Sequence, residues 1–122
     1  NYNFNGKDLY TVACCCAQNL YPRLRSLGLR FFVGYNDTFN VRGEREPFIT
    51  CALSGLKSFL SGDNVKTSKE KMQTVFDEQI AILNEADPWA AVDLVHNKES
   101  LVFEGDESIT FSSLHNKVEE MN

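Results

Sequence analysis

Residues 29–43 read LRFFVGYNDTFNVRG, and the pairing of this stretch decides the fold. Leu29, Phe31, Val33 and Tyr35 stand at every second position, the period of a β-strand that buries one face. Asn36-Asp37 falls where a tight turn belongs, and Phe39 and Val41 then resume the alternation. The expected element is a β-hairpin. Phe32 interrupts the polar side of its first strand, which places it either under a helix or loop or outward as a contact.

Working outward, Leu9, Val12, Ala13, Cys16 and Leu20 follow i, i+3, i+4, i+7, i+11 spacing. This predicts a first helix capped by Asn5 or Asp8 and ended by Pro22, with a short extra turn closing at Gly28. After the polar GEREP loop, Pro47 suits the first turn of a second helix. Its expected inward face is Ile49, Ala52, Leu53, Leu56, Phe59 and Leu60, and Gly62 can end it. Thr67 and Glu70 have the spacing of a capping box. The helix it would open carries Met72, Val75, Phe76, Ile80 and Leu83 inward. Asp87 and Pro88 cap and start another helix, with Trp89, Val92 and Val95 or His96 sharing a side. SLVFEGDESITFSS, residues 100–113, reads as a second hairpin or strand pair around Gly105-Asp106. Ser112 then caps a last short helix with Leu114, Val118 and Met121.

The order is α-β-β-α-α-α-β-β-α over residues 1–122, with no repeat and no linker. The expected fold is a single α+β domain, its helices packed on a small antiparallel sheet built from two hairpins. The alternative is a mainly α domain with two short hairpins. A chain of 122 residues that is 43% hydrophobic and carries nine Phe, four Tyr and one Trp can bury a core of its own. No apolar run approaches the ~20 residues a membrane span needs.

Three adjacent cysteines, Cys14, Cys15 and Cys16, lie in the predicted first helix, and the fourth is Cys51. Neighbours on a helix point about 100° apart, so the three cannot converge on one tetrahedral metal ion. Adjacent cysteines also do not meet disulfide geometry. A bridge from Cys15 or Cys16 to Cys51 would leave two thiols over, an odd pattern for an oxidising compartment. Palmitoylation would need a second anchoring signal, and the flanks supply none. The cysteines are therefore expected to be free and structural, which favours a cytoplasmic setting. The Asn36-Asp37-Thr38 sequon pulls the other way.

Chemistry is otherwise sparse. The only histidines are His96 and His115, and no nucleotide-binding, zincin, EF-hand or serine-hydrolase motif occurs. The expectation is no enzyme, no cofactor and no metal. Charge is uneven. Residues 1–74 carry a net +4 and residues 75–122 a net −9, and all five arginines lie between Arg23 and Arg45. Arginine and aromatic side chains are favoured interface anchors. The expected function is a non-catalytic protein-interaction or assembly module. It would bind a protein partner or a second copy through Arg30, Phe32, Tyr35, Phe39 and Arg42 of the first hairpin. One alternative is a polyanion- or RNA-binding module on the same surface, which a sequence pI near 5.0 disfavours. The other is a thiol-dependent enzyme or redox sensor.

Residues 99–122, ESLVFEGDESITFSSLHNKVEEMN, resemble the strand–turn–strand–helix that opens the large domain of acyl- and aminoacyl-adenylating enzymes. The resemblance covers only these residues. That family's Ser/Thr/Gly-rich phosphate-binding loop has no counterpart in the chain, so no site residue is implied.

Overall fold

Three strands, β1 (Asp8–Tyr10), β2 (Phe31–Tyr35) and β3 (Leu101–Gly105), form a mixed sheet of order β1-β2-β3 in the computed structural model, which describes residues 8–11 and 20–110. β2 runs parallel to β1, with Asp8 opposite Phe31, and antiparallel to β3, with Val33 opposite Phe103. Every residue of β2 is buried. A central strand covered on both faces needs an unbroken apolar run, and Phe31-Phe32-Val33 supplies it.

The two faces separate by parity. Phe31 and Val33 pack with Phe59, Val65 and Ile109, while Tyr35 joins Phe48, Cys51, Met72 and Phe76. Phe32 points the other way, into Leu24 and Leu29, with its ring centroid 5.2 Å from that of Tyr21. A short helix, α1 (Tyr21–Ser26), therefore covers one face. The other carries α2 (Glu46–Leu60), α3 (Val65–Ala86) and α4 (Pro88–Ser100). This is an α+β arrangement, with three helices on one side of a small open sheet.

Two glycines mark where neighbouring elements meet closely. A Cβ on Gly55 of α2 would lie 2.8 Å from the Met72 sulfur and 3.1 Å from the Tyr10 hydroxyl. Gly55 thus lets α2 approach both α3 and β1. Gly105 has φ of +117°, and a Cβ there would lie 2.2 Å from the Arg30 carbonyl oxygen. Helix boundaries follow local chemistry. Asn64 accepts a hydrogen bond from the Thr67 N–H at 2.8 Å and opens α3. Asp87 caps α4 through the Ala90 N–H at 3.3 Å, with Pro88 in the first turn. α4 then runs directly into β3.

The structure corrects several sequence expectations. Neither hairpin forms among the described residues. After Tyr35 the chain continues as a loop, and β2 finds its partners in β1 and β3. Pairing of distant segments leaves no mark in local periodicity. Asp8–Tyr10 is a strand and not the start of a helix, because Leu9 and Tyr10 pack on opposite faces of the sheet. Residues 12–19, with Cys14, Cys15 and Cys16, lie outside the described residues, as do 111–122 with the last helix and His115. On α2 the inward face is Phe48, Cys51, Ala52, Gly55, Ser58 and Phe59, while Ile49, Leu53 and Leu60 face outward. The inward set includes the small residues that close approach requires. The cap of α3 is Asn64 and not Thr67, because burial of Val65 starts the helix three residues before the proposed box would be in place.

Candidate interaction surface

The stretch between β2 and α2 has no ladder partner, yet its alternation has a structural cause. Its even-numbered residues are tied to α4. Thr38 offers its carbonyl to His96 Nε2 at 3.0 Å. The Asn40 N–H donates to Asn97 Oδ1 at 2.8 Å, and Asn97 Nδ2 donates back to the Asn40 carbonyl at 2.7 Å. Arg42 Nε donates to Asp93 Oδ2 at 2.6 Å. Asp93, His96 and Asn97 are i, i+3 and i+4 on one helix, so they form a single strip. The Asn36 N–H donates to the Ser100 carbonyl at 2.8 Å, and Gly43 sits against the Asp87 carboxylate. The chain therefore runs down α4 from its C-terminus to its N-terminus, pinned along its length.

The odd-numbered residues Phe39, Val41 and Gly43 turn the other way. Phe39 meets the Tyr35 ring edge-on, with centroids 4.9 Å apart. With Phe48, Ile49, Ala52 and Leu53 of α2 these residues line an open groove of about 730 Å³. Arg45 lies at the groove's edge, and a more polar depression beside it adds Glu44, Glu46, Thr50 and Lys57. Val41 is 52% exposed, Ile49 53%, Leu53 41% and Leu60 53%. Ile49, Leu53 and Leu60 lie on one line of α2 by their i, i+4, i+11 spacing. Together they make an apolar strip rimmed by charge.

The five residues expected at a binding surface are not brought together. Phe32 is fully buried beneath α1, and Tyr35 is buried against α2 and α3. Arg30 is bonded to Asp8 at 2.7 Å, which ties the residue before β2 to β1. Phe39 and Arg42 lie past the other end of β2, Phe39 half-buried in the groove wall and Arg42 exposed on the α4 side. The apolar strip on α2 escaped the sequence reading. Its signal was present, since α2 carries more large apolar residues than one buried face can hold.

Burial pushes the Cys51 thiol up to about 12, and the Tyr10 hydroxyl, which donates to the Ala52 carbonyl, is likewise pushed up to about 12. The Tyr35 hydroxyl, also raised by burial, has no hydrogen-bond partner among the described residues. Cys51 is enclosed and free of any disulfide. Among the described residues no group of three His, Cys, Asp or Glu side chains could hold a metal ion, and no helix is long and apolar enough to cross a membrane.

Comparison with protein-family models, with curated proteins and with solved structures finds no match to the chain.

Proposed function

We propose that the domain is a non-catalytic protein-interaction module whose contact surface is the outer strip of α2 with the groove beside it. One observation carries this. Val41, Ile49, Leu53 and Leu60 each keep two-fifths or more of their surface in water, although polar residues there would leave the core untouched. An apolar patch rimmed by charge is the usual mark of a contact site. The loop that completes the groove is held by five hydrogen bonds to α4, so the surface is formed before anything binds, which lowers the ordering cost of association. Two further features favour this over the alternatives. Arg30 and Arg42 are already paired with Asp8 and Asp93, which occupies two guanidinium groups that a polyanion would need. Cys51, the one cysteine among the described residues, is buried with its thiol pushed up to about 12, the opposite of a reactive thiolate.

The test is a photo-activated cross-linker placed at position 53 in the cells that make the protein, with the exposed position 78 on α3 as control. The expected result is an adduct at 53 that disappears in Ile49→Lys, no adduct at 78, and an unfolding midpoint unchanged by Ile49→Lys. Absence of an adduct at 53, or one indifferent to Ile49→Lys, overturns the proposal.

A further inference from the structure

We infer that the outer strip of α2 takes a second copy of this chain, the two α2 helices lying antiparallel across a twofold axis. This rests on the contact surface proposed above and names its partner. The exposed residues of α2 are Glu46, Ile49, Thr50, Leu53, Lys57 and Leu60. Only two of the six are charged. The acid lies at the N-terminal end and the base at the C-terminal end, separated by 11 positions or about 16 Å of helix. Parallel packing of two such helices would set acid against acid and base against base. Antiparallel packing sets Glu46 of each copy level with Lys57 of the other, and does so twice.

That register also places the apolar residues. With Glu46 level with Lys57, Leu53 of one copy lies level with Thr50 of the other, so the two leucines flank the axis. Leu60 reaches three residues past the start of α2 in the second copy, to the level of Gly43, where Val41 and Gly43 line the groove. The end of one strip therefore meets the groove of the other. A contact of this kind is isologous and closes on itself as a dimer, with no open edge for further growth. A strip 15 residues long lies at the small end of specific interfaces, so the dimer exchanges with monomer. Its two ion pairs sit at the rim and set orientation more than strength.

The experiment is sedimentation equilibrium of the purified chain and of two charge-reversed variants, Glu46→Lys and Lys57→Glu, at concentrations up to about 1 mM, where even a weak contact forms. Each variant alone faces like charges across both ends, and its dimerisation constant is expected to weaken by about tenfold. An equimolar mixture of the two restores both opposite-charge contacts, and a heterodimer at parental strength is expected. A monomeric parent throughout this range overturns the inference, as does a mixture no stronger than its components. If the parent is monomeric while the cross-link at position 53 joins a different protein, the self-pair falls and the contact surface stands.

Discussion

Replacing Asn97 by alanine removes the central tie between α4 and the loop that walls the groove. The Asn97 side chain is fully buried and makes two hydrogen bonds, at 2.8 and 2.7 Å, to the N–H and carbonyl of Asn40. Each such bond contributes about 1 kcal/mol net, and a half-buried backbone group stranded by its loss costs a further ~1–3 kcal/mol where water cannot reach it. The expected destabilisation of Asn97→Ala is therefore about 2 kcal/mol where water reaches the stranded groups and up to about 5 kcal/mol where it does not, read from the midpoint of urea unfolding. A local readout accompanies it. Arg42 and Arg45 are the trypsin sites in this segment, and cleavage tracks the population of the opened loop. A loss of 2 kcal/mol raises that population about 30-fold, at 1.4 kcal/mol per decade. Asn40→Ala is the control, because Asn97 bonds the backbone of Asn40 and not its side chain. It is expected to cost less than about 0.5 kcal/mol, as surface changes do. An Asn97→Ala protein with parental midpoint and parental cleavage rate would refute the clamp, and so would an Asn40→Ala protein equally damaged.

Other consequences are simpler to state. Asn64→Ala is expected to cost about 1 kcal/mol in chemical denaturation, and Thr67→Ala much less, because the cap oxygen belongs to Asn64. Cys51 should resist iodoacetamide in the native protein at pH 8 and react once the protein is unfolded, as followed by peptide mass spectrometry, since its thiol is enclosed and pushed up to about 12. Tyr10 is raised from 10.0 to about 12, so the unfolded chain releases this proton first. Its contribution to stability is whole below pH 10 and is lost as pH rises toward 12. Tyr10→Phe should flatten that alkaline decline in pH-dependent unfolding curves.

Much of the architecture was legible where the signal is local. The strand at Phe31–Tyr35, the three long helices, and the cap at Asp87 with Pro88 all follow from spacing and capping chemistry. The alternation through Phe39 and Val41 was also real, but periodicity records only that a segment has two sides. It does not say whether a strand or a row of side chains on a helix meets one of them. Here the answer is Asp93, His96 and Asn97. The mixed sheet was hidden for a related reason, since β3 joins β2 across 65 intervening residues. On α2, size misled. Ile49, Leu53 and Leu60 look like core, yet Gly55 sits on the inner face because a side chain there would collide with Met72 and Tyr10. The candidate surface consists of the large residues this displaced.

The central claim, that the outer strip of α2 is buried against a second copy, is tested most directly by the solution mass of the parent chain beside that of Leu53→Lys. In the proposed dimer Leu53 flanks the axis, and in the monomer it is exposed and outside the core. The parent should therefore approach twice its 13.8 kDa monomer mass as concentration rises. The variant should stay at the monomer mass with an unchanged unfolding midpoint. Equal masses for the two proteins at every concentration, whether monomer or dimer, would contradict it.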